Sequence, residues 1–174
     1  MATIRLVPAA VLLAFSPIQA DEQPAQLAAF QPAVGKWVNS ERQRESEDAP
    51  WETGTSEWVI RFLPGGLVME TPGQIRIGEN EAVSWAQVWG IDPASGSPYV
   101  HAYISTGTVI TGSFEWSGST VKMETAVTWP DGSPQVEQCD FTFGTGFRTA
   151  TFSCRRQSAD GWWVVREGSG SKSE

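Results

Sequence analysis

From Trp58 to Glu167 apolar and polar residues alternate at period two, and turn signals interrupt them roughly every eight to twelve residues. A helix would bury a stripe at a period near 3.6, so this alternation commits the chain to sheet. Trp58, Ile60 and Phe62 alternate with Glu57, Val59 and Arg61 until Pro64-Gly65-Gly66 stops the strand. Residues 67–70 and 74–77 read as short strands around Pro72-Gly73. Gly118-Ser119 makes a tight turn that sets Trp116 against Val121, Phe114 against Met123 and Ile110 against Val127. Asp131-Gly132, Gly144-Thr145-Gly146 and Asp160-Gly161 mark the later turns. About ten sequential strands follow, with no long helix and no crossover connection. A meander of that length either leaves two long edges or closes on itself, and closure removes edges that template aggregation. The expected fold is all-β, an antiparallel up-and-down barrel of about ten strands. A two-sheet sandwich is the other arrangement that the pattern permits.

The two ends of the chain are read differently. Arg5 precedes an apolar run from Leu6 to Phe15, and Ile18-Gln19-Ala20 is a small-residue cleavage site ahead of Asp21-Glu22. The run is too short to span a bilayer. Residues 1–20 are therefore expected to be a signal peptide, with export to the periplasm. Residues 21–33 hold helix start signals around Pro24 and read as a short helix and lead-in. The barrel is expected over 34–168, opening on a strand at 34–40. The charge-dense stretch 41–52, ERQRESEDAPWE, reads as a solvated loop in which Trp51 could tuck against the barrel mouth. The polar tail 169–174 reads as disordered.

Removing the leader takes away one arginine and leaves 11 basic and 20 acidic residues, a net charge of −9. Such a surface repels phosphate backbones and anionic headgroups, so no nucleic acid and no membrane-surface partner is expected, and no later apolar stretch is long enough for a membrane span. His101 is the single histidine, which argues against a metal site; there is no Gly-x-Ser-x-Gly, Gly-x-Gly-x-x-Gly or Walker loop. No cofactor is called for, and nothing in the pattern specifies an oligomer.

The stretch 83–105, VSWAQVWGIDPASGSPYVHAYIS, carries the functional expectation. Val83, Trp85, Gln87 and Trp89 share one parity; Tyr99, His101 and Tyr103 share one on the next strand. With an even register, Trp89 lies opposite Tyr99, Gln87 opposite His101 and Trp85 opposite Tyr103. That face is aromatic with two polar groups in its middle, suited to a small apolar or amphipathic molecule. The alternative is a core strand pair whose polar tips find partners. Trp85, Gln87, Trp89, Tyr99, His101 and Tyr103 are the expected lining, with His101 as acid/base if the barrel is instead an enzyme.

Cys139 and Cys154 are the only cysteines, on strands joined across Gly144-Thr145-Gly146. Both lie on one face, and a turn one residue longer than the tightest brings them opposite each other, within disulfide reach. Two buried free thiols are the alternative.

Gly35-Lys36-Trp37, opening the first strand after a short helix, resembles the Gly-x-Trp signature of lipocalins and the wider calycin group. The strand spacing and the run from Trp89-Gly90-Ile91-Asp92-Pro93 to Tyr99 are similar to secreted lipocalin-like proteins of bacteria, over about residues 30–168. The resemblance implies a calycin-like barrel in which Trp37 closes the bottom and an arginine of the last strand packs across it, here Arg166 of WWVVRE. The second lipocalin motif, Thr-Asp-Tyr, is missing, and no helix follows the last strand. The nitrobindin branch of the group holds heme through a histidine near the C-terminus; here that stretch is Trp162-Trp163-Val164-Val165, so a heme barrel would have to use His101.

Overall fold

The computed structural model describes residues 23–173; the expected signal peptide lies outside the described residues. Eleven strand segments form one antiparallel sheet: β1 (Gly35–Gln43), β2 (Glu52–Phe62), β3 (Val68–Glu70), β4 (Gly73–Ile77), β5 (Val83–Ile91), β6 (Pro98–Ile104), β7 (Val109–Ser117), β8 (Thr120–Thr128), β9 (Pro134–Phe143), β10 (Thr149–Ser158) and β11 (Gly161–Lys172). β1 pairs with both β2 and β11, which closes the sheet. β3 and β4 are two halves of one staff. Met69 and Gly73 keep a single register against Phe62 and Trp58 of β2, and another against Trp89 and Trp85 of β5. Pro72 separates the halves because it has no N–H to give the ladder. The result is the expected closed antiparallel barrel, with ten staves and one short N-terminal helix.

Several pairings follow the sequence pattern directly. Trp116 faces Val121, Phe114 faces Met123 and Ile110 faces Val127 across β7 and β8. Cys139 lies directly opposite Cys154 on β9 and β10, with Cα atoms 4.1 Å apart, and the two sulfurs are bonded. The extra length of that turn comes from a 3₁₀ turn at Thr145–Phe147.

The N-terminal segment plugs one end. Helix α1 (Ala25–Ala28) and a 3₁₀ turn at Gln31–Ala33 bury Leu27, Phe30 and Ala33, whose three-residue spacing puts them on one face. A four-residue helix does not stand alone in water, so docking is what orders it. Phe30 meets Trp89, Phe114 and Trp116 at ring-centre distances of 5.5, 5.9 and 4.6 Å. Trp37, fully buried, donates its Nε1–H to the Ala33 carbonyl at 2.9 Å and lies against Trp58 and Phe143. Burial of such a ring stabilises by about 2–3 kcal/mol. This floor leaves the opposite end, ringed by the loops 44–51, 78–82, 105–108, 129–133 and 159–160, as the mouth.

Three expectations are corrected at the barrel seam. The tail from residue 169 is ordered through Lys172: Ser169, Gly170, Ser171 and Lys172 extend β11 and pair with Ser40, Asn39, Val38 and Trp37. Its GSGS sequence is itself a period-two pattern, with Gly168 and Gly170 directed inward. A Cβ on Gly170 would fall 1.9 Å from the Asn39 side chain, and one on Gly168 would fall 2.7 Å from Glu41 Cβ.

Arg166 does not stack on Trp37. It pairs with Gln43 near the mouth, with its guanidinium 5.4 Å from the Phe152 ring centre. A β-bulge opposite Cys154/Arg155 shifts the ladder there, so Val165 and Arg166 both turn toward the interior. The residue opposite Trp37 is Lys172, whose Nζ donates to the Pro32 carbonyl at 3.2 Å and whose stem crosses Gly35. Gly35 holds φ +139°, and a Cβ there would lie 2.5 Å from Lys172 Cε. The glycine of Gly-x-Trp is thus required by its conformation.

The third correction concerns 41–52. β1 runs on to Gln43 and β2 begins at Glu52, so only residues 44–51 form the loop, and Glu41 points into the barrel.

Candidate functional site

The barrel encloses a cavity of about 650 Å³. Its lower wall is apolar, with Phe30, Trp58, Ile60, Met69, Trp89 and Phe143. Charged groups gather at the mouth. Trp85, Gln87 and Trp89 line it as expected, because β5 presents this face inward.

Tyr99, His101 and Tyr103 do not line it. The observed register pairs Trp89 with Val100, Gln87 with Ala102 and Trp85 with Ile104, one residue away from the expected pairing. A one-residue slip turns a whole strand over. Val100, Ala102 and Ile104 therefore face inward, while His101 is exposed and Tyr103 is 62% exposed. The loop sets this parity. Asp92 N–H bonds the Ser97 carbonyl, Gly96 N–H bonds the Asp92 carbonyl, and Asp92 Oδ1 accepts from the Ala94 and Ser95 amides. Tyr99 lies over Gly90 on the outer surface, edge-on to His101 at 5.3 Å. An acid/base or axial heme role for His101 inside the barrel is ruled out by that direction.

The inward groups of β5 are held by a relay. Trp89 Nε1–H donates to Thr71 Oγ1 at 3.1 Å, and Thr71 Oγ1 donates to Gln87 Oε1 at 3.1 Å. Indole N–H only donates, so the threonine oxygen accepts there and its own proton goes to the glutamine. Among the described residues the Gln87 amide nitrogen is left with only the Met123 sulfur, at 4.0 Å, as a partner. Thr71 sits at the break between β3 and β4, where its own N–H bonds the Gln87 carbonyl at 2.7 Å. The period-two reading passed over it because it lies between two short strands.

Across the cavity, β1 carries Asn39, Glu41 and Gln43 inward in succession. Asn39 Nδ2 donates to Ser56 Oγ at 3.1 Å. The Glu41 side chain is only 2% exposed, and Arg166 Nε stands 3.8 Å from its Oε2. The dense charge of the surrounding sequence concealed this residue; its parity with Trp37 was the available signal.

Arginines and tryptophans alternate around part of the rim. Arg156 lies 5.2 Å from the Trp129 ring and 5.5 Å from Trp163; Arg44 lies 5.3 Å from Trp163 and 4.7 Å from Trp51; Arg42 lies 4.4 Å from Trp51. Glu137 pairs with Arg156 at 2.7 Å, and Arg44 Nε donates to the Val164 carbonyl at 2.8 Å. Trp51 thereby ties the 44–51 loop to the wall. In the neighbouring 129–133 loop, the Ser133 hydroxyl and then its amide donate to Asp131, holding that carboxyl below its ordinary range.

Fold and cavity together define a closed antiparallel barrel with an interior site. No family model and no curated protein matches the chain. Among solved structures it is similar to Rv2717c from M. tuberculosis, at 12% identity and a TM-score of 0.63, over 88% of this chain and 100% of that one. That likeness establishes shared fold. EF1p2_mFAP2b bound to DFHBI matches at 11% identity and a TM-score of 0.46, over 86% of this chain and 100% of that one. The redesigned β-barrel mFAP1, bound to DFHBI, matches at 14% identity and a TM-score of 0.44, over 83% of this chain and 98% of that one. Among the described residues no helix is long and apolar enough to cross a membrane.

Proposed function

We infer that this chain is an exported binding protein that holds a small apolar or amphipathic molecule inside a calycin-like barrel. The observation that carries the reading is the 650 Å³ cavity, whose apolar lower wall gives way to polar groups held in fixed directions. A site of that size and character suits a small molecule and buries most of its surface. Trp85 and Trp89 supply contact area, and the Gln87 amide nitrogen, aimed by Thr71, orients the ligand. Export is supported by the leader-like residues 1–20 and by the Cys139–Cys154 disulfide, a bond that persists in oxidising compartments. Calycin kinship is supported by Gly35-Lys36-Trp37 at the head of β1, with Trp37 at the closed end.

Native mass spectrometry of the exported protein, beside an Ala102→Trp variant, tests the reading. Ala102 is buried in the cavity wall, so the larger ring takes up ligand space. The expected result is a small-molecule adduct on the native protein that the folded variant loses. A native protein with no adduct, whose tryptophan emission is also unmoved by hydrophobic probes, would overturn it.

A further inference from the structure

The inward face of β1 departs from the rest of the wall. Asn39, Glu41 and Gln43 form a polar stripe from just above the floor to the mouth, where most staves present aliphatic or aromatic side chains. Glu41 is flanked by glycine on both sides: Gly54 is its partner on β2 and Gly168 its partner on β11. Asn39 is flanked by Ser56 and Gly170. Neither partner of Glu41 carries a side chain of its own; Ile77 and Phe152 pack over Gly54 and Gly168, and Glu41 lines the cavity between them.

Glu41 is also the one charged residue among the buried described residues. A carboxylate taken out of water needs donors. The cation beside it, Arg166 Nε at 3.8 Å, is beyond hydrogen-bond reach, and Arg166 Nη2 is directed to the Cys154 sulfur at 3.9 Å. Among the described residues the acceptor of this stripe left without a donor is Glu41, which lines the cavity; the Asn39 oxygen lies over Gly170 in the wall.

We propose that the Asn39–Glu41–Gln43 stripe, with Glu41 as its unmet acceptor, is the subsite for the ligand's polar end. That end donates hydrogen bonds to the Glu41 carboxylate, as a hydroxyl or an amine does. The proposal rests on the cavity-binding reading and narrows it, because a fatty carboxylate is the wrong partner. Such an anion would meet Glu41 inside. At the entrance it would meet Glu45, Glu52 and Glu81, none of which is in an ion pair among the described residues. Of the three described arginines that line the cavity, Arg166 is the cation beside Glu41 and the other two are engaged. Arg156 pairs with Glu137, and Arg44 bonds the Val164 carbonyl.

Decanol, decylamine and decanoate share a chain and differ in the head, so titrating each while following tryptophan emission isolates the subsite. The native protein is expected to bind the alcohol, the amine or both at least tenfold more tightly than the carboxylate. Glu41→Gln, which keeps the shape and removes the charge, is expected to shrink that preference to under threefold. The relative affinity of alcohol and amine reports whether the ligand's donor is neutral or cationic. Equal binding of all three by the native protein, or preference for decanoate, overturns the subsite and leaves the cavity reading standing. A preference unchanged in folded Glu41→Gln does the same. Binding of none overturns the cavity reading and the subsite with it.

Discussion

Thr71 connects two functions that the sequence displays separately. Its hydroxyl accepts from Trp89 and donates to Gln87, so one side chain fixes an indole at the floor and an amide in the wall. Thr71→Val keeps the shape and orphans the Trp89 N–H. The expected cost is about 1–3 kcal/mol, the penalty for a buried donor left unsatisfied. Urea denaturation checks it, and a variant as stable as the native protein would show that the relay is not holding the indole. Tryptophan parity was legible at this scale: Trp85, Trp89 and Trp116 face where period two puts them. Thr71 and Glu41 were not, because each owes its direction to strands that begin or end elsewhere than the local composition suggests. Arg166 was misplaced for a related reason. The bulge that turns it inward is a property of the β10–β11 pair and leaves no mark on WWVVRE.

At the scale of elements, the hairpins show what sets register. The Gly118 turn fixes its pairing through its length, and β7 and β8 follow. Between β5 and β6 the turn residues Asp92-Pro93 and Ser95-Gly96 announce a loop without fixing its parity, and the expected register was off by one. The aliphatic side of β6, Val100, Ala102 and Ile104, was the better guide to the inward face, since it leaves Tyr103 in water and Tyr99 over Gly90 on the outer surface. The 44–51 loop is held in another way, through Trp51 between Arg42 and Arg44. Cation–π contacts at exposed sites contribute about 0.5–1 kcal/mol each. Trp51→Ala should therefore leave the global unfolding midpoint nearly unchanged while protease cleavage within 44–51 rises several-fold. Limited proteolysis separates the two effects, and an unchanged cleavage rate would mean that Trp51 is not the tie.

For the whole molecule, the number of staves and their order were legible from alternation and turns, because an up-and-down barrel is a local code repeated. Closure was legible only as an argument about edges. The seam itself was hidden in a tail whose glycines and serines read as disorder. Deleting residues 169–174 removes four of the seven β1–β11 pairs. A disordered tail would be dispensable; loss of this one should abolish cooperative unfolding and expose β1 to intermolecular pairing, read by calorimetry and size-exclusion chromatography. The seam also has a consequence in time. It joins Trp37 to Lys172, the first staff to the last, so the barrel cannot shut until nearly all of the described chain has been synthesised. Until then the growing polypeptide carries two bare edges, and its final step is a contact of very long sequence separation, the slow kind. If the chain is exported as proposed, such a delay suits the passage, because the strand that seals the barrel is the last of the described strands to be made.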